Sequence, residues 1–178
     1  MHITIFGGAQ PAPGAPAYQD AYELGKMLAT AGHTILTGGY MGTMEAASRG
    51  ASEAGGHVIG VTCADIEAWR PIKPNAWVKE ELRCITLQER LNALIDGCEA
   101  AIALPGGAGT LAEVALTWNL MLIDPDLQKP LILVGPGWRS VFDEFFRSFD
   151  AYMPGRQREL LLFAPNVQAA AKLLESGE

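Results

Sequence analysis

The sequence predicts a doubly wound α/β fold, a mostly parallel sheet of about six or seven strands with helices on both faces. Short β-type runs alternate with helical stretches from one end of the 178 residues to the other. Glycine pairs and prolines punctuate the boundaries, and no linker, internal repeat or low-complexity tract divides the chain. A length of 178 residues then fits one domain spanning 1–178.

The elements follow in order. "HITIF" over 2–6 reads as the first strand. A helix over 18–30 follows, with Ala21, Tyr22, Gly25, Leu28 and Ala29 on one face and Gly32 as its C-terminal stop. "HTILT" over 33–37 is a second strand, broken by Gly38-Gly39, and an alanine-rich helix over 42–54 ends at Gly55-Gly56. "HVIGVT" over 57–62 is the third strand. The stretch 63–75, carrying Trp69, Arg70, Pro71 and Pro74, reads as a loop over one sheet edge. "WVKEELRCI" over 77–85 is a further strand whose charges do not alternate cleanly. The helix over 86–96 places Leu87, Leu91, Leu94 and Ile95 at helical spacing, and Thr86 with Glu89 forms a capping box. A strand at 100–104, a helix at 110–123, a strand at 130–135, a helix at 138–149, a strand at 160–164 and a helix at 167–174 complete the pattern.

Composition narrows the function. Thirteen basic against twenty acidic residues give a net charge of −7, which opposes sequence-independent binding to a nucleic acid polymer. No apolar run approaches the ~20 residues of a membrane span, and "MHITIFGG" lacks the pattern of a signal peptide. A soluble, cytoplasmic protein without a membrane partner is expected. Cys63, Cys84 and Cys98, with His2, His33 and His57, make no metal-ligand spacing, so no metal site is expected.

In such folds ligands bind at the carboxyl ends of the strands. Three of those turns are rich in glycine: "FGGAQPAPG" with Gly7 and Gly8, "TGGYMGTME" with Gly38, Gly39 and Gly42, and "PGGAGTLAE" with Gly106, Gly107 and Gly109. Glycine admits close backbone approach, and the amides opening the next helix favour an anion, so these loops point to a phosphate. Neither GxGxxG nor GxxxxGK[ST] is present. Two residues carry alternatives. Thr110 and Glu113 have the T-x-x-E spacing of a helix-capping box, or else Glu113 is a functional carboxylate. Periodicity puts Arg90 at the flank of the apolar face of its helix or snorkelling out to water, a surface residue on that pattern. Met41, Trp118 and Met121 read as core, or as an apolar wall for a base or a dimer contact.

Taken together, "GGYMGTMEAASRGASEAGGHVIGV" and "PGGAGTLAE", with an arginine helix between them, resemble the LOG family of cytokinin riboside 5'-monophosphate phosphoribohydrolases, once labelled possible lysine decarboxylases. The likeness runs from about residue 3 to 134. It implies a Rossmann-like fold, a homodimer, and hydrolysis of a nucleoside 5'-monophosphate to free base and ribose 5-phosphate without a cofactor. Carried over, Glu113 and Arg90 match the family's catalytic pair. Gly106, Gly107, Gly109 and Thr110 match its PGGxGTxxE motif, while Gly38, Gly39, Gly42 and Met44 match its earlier glycine loop. On this resemblance Glu113, held in the first helical turn with a lowered pKa, stabilises the cationic sugar and activates water. Arg90 steadies the base or the 5'-phosphate, and the amides of 106–110 hold that phosphate.

The sequence departs from the family at Gln88 and Leu91 in the arginine helix, and at Thr37, Thr43 and Glu45 in the second glycine loop. The alternative is a non-catalytic module holding a nucleotide or a phosphorylated cofactor such as a pterin. Decarboxylation would need a cofactor-bearing lysine, and no lysine stands in a glycine-rich loop.

Overall fold

A computed structural model describes residues 1–176. Seven strands form one sheet: β1 (His2–Phe6), β2 (Thr34–Thr37), β3 (Val58–Cys63), β4 (Glu80–Cys84), β5 (Ala100–Ala103), β6 (Leu131–Val134) and β7 (Leu161–Ala164). Their order is β4-β3-β2-β1-β5-β6-β7 and every pairing is parallel. The chain starts at the centre, winds outward through β2 and β3 to β4, then returns to β5 beside β1. The crevice beyond the carboxyl ends of β1 and β5 is therefore the switch point of the sheet, where such folds place ligands.

Alternation along the central strands builds two cores. Ile3, Ile5, Ala100, Ile102, Ile132 and Val134 face α1 (Pro16–Thr30), α2 (Thr43–Glu53) and α8 (Val167–Ser176). Phe6, Ala101, Ala103, Leu131 and Leu133 face α4 (Leu87–Asp96), α5 (Ala108–Ile123) and α6 (Pro136–Ser148). Thr4 is the polar exception, and its hydroxyl donates to the Leu94 carbonyl at 2.7 Å.

Several boundaries move for identifiable reasons. Pro16 and Pro136 take the first helical positions of α1 and α6, so both helices start two residues before the sequence pattern suggests. Gly32, at φ +86°, ends α1 as expected. The stretch over 63–75 is not all loop: Ala64–Trp69 forms a six-residue helix, α3, with Asp65 and Glu67 favourably placed in its first turn. The unclean alternation of β4 has a plain cause. It is an edge strand, exposed along Glu80, Glu81, Leu82 and Arg83, and its charges guard that edge. A four-residue helix, α7 (Gly155–Arg158), precedes β7. Among the described residues no helix is long and apolar enough to cross a membrane.

The α1–α2 crossing is tight because two glycines let backbones touch. A Cβ on Gly25 would overlap the Ala47 carbonyl, and one on Gly50 would overlap that of Tyr22. Gly50→Ala should cost about 2 kcal/mol or more and lower the melting temperature by about 5 °C. Gly137→Ala, whose Cβ meets open space, should leave it unchanged or higher.

Candidate active site

Three strand-end loops meet at the switch point, and backbone bonds lace them. The Gly8 amide donates to the Pro105 carbonyl at 3.2 Å, joining the loops after β1 and β5. The Gly8 carbonyl accepts from both the amide and the hydroxyl of Thr43, each at 3.0 Å, which joins the loop after β1 to the start of α2. Such approaches leave no room for side chains. A Cβ on Gly7 would strike the Thr43 hydroxyl, one on Gly42 the Gly8 carbonyl, and one on Gly106 the Thr110 hydroxyl.

These contacts explain the departures at Thr37, Thr43 and Glu45. Thr43 is the bolt between two loops. Thr37 is buried, accepts from the Gly39 amide at 3.1 Å and bonds Ser48 at 3.0 Å, so it braces the second loop. Glu45 points to the Tyr18 hydroxyl, 3.4 Å away. Gln88 is exposed and bonds Asn92 along its own helix.

Above the laced loops lies a cavity of about 480 Å³, within the range of small-ligand sites. Of the residues singled out from sequence, Gly7, Gly8, Met44, Arg90, Gly107, Gly109, Thr110 and Glu113 line it. Gly38, Gly39, Gly42 and Gly106 do not; they are framework. Gly39 packs against Gly60 with φ +77°, and Gly38 lies against the Arg90 guanidinium. Met41 lines the cavity, whereas Trp118 and Met121 are core beneath α5. Sequence reasoning missed Tyr40, which sits inside a quoted motif, and Ile66, Trp69, Arg70 and Ile72, which the assignment of 63–75 to a loop set aside.

Arg90 is buried at 6% exposure, contrary to its flanking position in the helical pattern. It shares the inward stripe of α4 with Leu94 and Ile95. Backbone carbonyls explain how a guanidinium is tolerated there: Nε donates to Val61 at 2.8 Å and Nη2 to Gly38 at 3.2 Å. Its Cζ lies 5.8 Å from the Tyr40 ring centroid. The remaining nitrogen, Nη1, faces Glu113 Oε1 at 3.8 Å.

The capping-box alternative for Glu113 is overturned. The N-cap of α5 is Gly107, with no side-chain cap, and the helix begins at Ala108. Glu113 is its sixth residue, one turn too deep to bond an orphan amide. The Thr86–Glu89 box of α4, by contrast, forms in full. Glu113 is 8% exposed and, among the described residues, its carboxylate accepts no hydrogen bond. The expected lowered pKa is overturned with it. Burial pushes the carboxyl up from 4.5 to about 7, and the Arg90 charge offsets only part of that.

The opening of α5 is free for an anion. Its first intrahelical bond runs from Leu111 to the Gly107 carbonyl at 3.0 Å, so the preceding amides at the cavity edge have no helical acceptor. Among the described residues no cluster of three or more His, Cys, Asp and Glu could hold a metal ion.

Between pH 4.5 and about 7 the folded chain keeps a proton on Glu113 that the unfolded chain has released. Stability contributed by this group is therefore complete below 4.5 and falls as pH rises through that window, by on the order of 3 kcal/mol. Glu113→Gln should leave the melting temperature at pH 4.5 little changed and raise it by several degrees at pH 8. A helix cap would instead lose stability at both pH values.

The SLOG cluster4 family model, LDcluster4, matches residues 1–144. The chain is 30% identical over 169 residues to the cytokinin riboside 5'-monophosphate phosphoribohydrolase LOG of Oryza sativa subsp. japonica, covering 89% of this chain and 66% of that protein. It is 31% identical over 147 residues to the pyrimidine/purine nucleotide 5'-monophosphate nucleosidase of Escherichia coli strain K12, covering 76% of this chain and 31% of that protein. The chain thus spans under two thirds, or well under, of these relatives' lengths. Among solved structures it resembles the molybdenum cofactor binding protein of Rippkaea orientalis, with a TM-score of 0.77, 28% identity, and coverage of 98% of this chain and 95% of that one. It also resembles the molybdenum cofactor carrier protein of Chlamydomonas reinhardtii, with a TM-score of 0.73, 30% identity, and coverage of 98% and 96%. The resemblance to LOG proteins and the α/β, Rossmann-like fold are both borne out, and the chain belongs to the SLOG cluster4 family.

Proposed function

We propose that this protein hydrolyses the N-glycosidic bond of a nucleoside 5'-monophosphate, of the AMP or cytokinin riboside monophosphate type, to free base and ribose 5-phosphate. The observation that carries it is Glu113: a desolvated carboxylate with no hydrogen-bond donor among the described residues, facing the cavity beside the glycine loop. The similarity to phosphoribohydrolases and nucleotide nucleosidases supports it.

Cleavage moves the C1'–N electron pair onto the base and leaves an oxocarbenium-like ribose, which water attacks. Ionised Glu113 stabilises that charge and takes a proton from the water, which ends on the departing base. A pKa near 7 suits this task, because the base is available near neutrality and still strong enough to accept the proton. Arg90 cannot act as an acid. Its charge favours ionised Glu113 and its guanidinium faces the ligand. The 5'-phosphate rests on the amides around Gly107–Thr110 with the Thr110 hydroxyl, and Gly7 and Gly8 supply the opposite wall. No metal or cofactor takes part.

We also infer a homodimer and a cytoplasmic setting. Leu87 and Leu111 are nearly half exposed on α4 and α5, and a second copy would cover them. The three free cysteines fit a reducing compartment.

A second use of the same cavity is favoured by one observation. Two solved structures matched over 98% of this chain are of proteins described as binding or carrying a molybdenum cofactor. On that basis the loops hold a phosphorylated pterin and break no bond.

Incubation with AMP, other nucleoside monophosphates and N6-prenylated AMP separates the two. Ribose 5-phosphate and free base should appear, and Glu113→Gln should lower the rate by about a hundredfold or more. Saturable binding without product would favour the carrier. The rate should climb about tenfold per pH unit below pH 7 and level off above it. Arg90→Gln, which removes the charge that offsets burial, should move that midpoint upward.

A further inference from the structure

We propose that Trp69 is the surface on which this cavity recognises the flat aromatic heterocycle of its phosphorylated ligand. The inference rests on the proposed function only in taking the cavity for the ligand site; it requires no bond to be broken.

Of the four tryptophans, three have partners. Trp118 and Trp138 are buried and donate to the Gln157 and Leu104 carbonyls. Trp77 lies under the Arg49 guanidinium. Trp69 is 81% exposed, and among the described residues its indole has neither a hydrogen bond nor a ring partner. It nevertheless lines the cavity, as the last residue of α3. A side chain able to bury 150–250 Å² is left bare at a pocket mouth. Such exposure is informative where a scattered surface residue is not.

Its backbone, unlike its ring, is firmly held. The Cys63 amide at the start of α3 donates to the Tyr40 hydroxyl at 2.7 Å, and that hydroxyl reaches Glu67 at 3.3 Å. Arg83 of the edge strand pairs with Glu67 at 2.5 Å, and the Leu87 amide donates to Asp65 at 3.1 Å. Beyond α3, Asn75 returns the chain to the glycine loop through the Gly39 and Tyr40 carbonyls. A short helix with little burial of its own is thus bolted to β4, α4 and the second glycine loop, which fixes Trp69 over the site.

The chemistry of this roof selects a ring by its face. Ile66, Trp69 and Ile72 offer apolar contact, and Arg70 is the single polar lining residue the segment supplies. Stacking tolerates every base because every base has a π-face. Recognition should therefore be strict for the phosphate and permissive for the heterocycle, with larger rings held better.

Calorimetric binding in a Glu113→Gln background tests this with AMP, UMP, ribose 5-phosphate and a pterin bearing a side-chain phosphate. Trp69→Ala should weaken AMP and the pterin about tenfold or more and UMP less, with ribose 5-phosphate unchanged within about twofold. Trp69→Phe should restore most of the loss. Heterocycle affinities that ignore Trp69→Ala, equal weakening of ribose 5-phosphate, or no binding of any heterocyclic phosphate would each overturn the inference. Trp69-dependent binding with no hydrolysis by the native protein would sink the proposed reaction and leave the inference standing. Hydrolysis whose KM ignores Trp69→Ala would do the reverse.

Discussion

The site depends on how a buried guanidinium is satisfied. Arg90 has no carboxylate in hydrogen-bond contact, and backbone carbonyls of Val61 and Gly38 take its Nε and Nη2. Because those carbonyls belong to β3 and to the turn after β2, the parallel sheet itself sets the orientation of the side chain. One nitrogen is left to face Glu113 across 3.8 Å, close enough to temper a desolvated carboxylate and too far to hydrogen-bond it. A shorter, bidentate pair would have given an inert ion pair and an ordinary acid. The observed spacing leaves Glu113 near neutrality's midpoint, open to whatever enters the cavity.

That arrangement requires backbones where side chains would usually stand. Gly38 has to be glycine because the Arg90 guanidinium occupies the space of its Cβ. Gly42, at φ +74° and against the Gly8 carbonyl, has two reasons to be glycine. Four of the glycines prominent in the sequence thus act behind the site, fixing the distances between residues that face the ligand.

The fold was legible because its signals are local and repeated: strand-length apolar runs, glycine stops, and helices with one apolar face. The order of the strands follows from parallel connections once those elements are placed. The site was legible in part. Glycine loops at strand ends announced themselves, and the resemblance singled out Arg90 and Glu113. Their environments were not readable. Periodicity put Arg90 at the surface because no sequence rule foresees two carbonyls, 29 and 52 residues away in the chain, waiting for a guanidinium. T-x-x-E at 110–113 imitates a capping box, yet α5 starts two residues earlier at Ala108, so Glu113 turns inward and its pKa rises where a cap's would fall. Likewise α3 has no apolar stripe to betray it; tertiary bonds from Tyr40, Arg83 and Leu87 hold it in place.

The protonation of one carboxyl is the centre of this account. Titration of Glu113 by carbon NMR in protein carrying labelled glutamate, with the resonance assigned by its loss in Glu113→Gln, measures it directly. A midpoint near 7 is predicted, set by burial and tempered by Arg90. A midpoint at or below the ordinary 4.5 would contradict the account, because Glu113 would then be solvated or fully paired and no longer poised to exchange a proton near neutral pH.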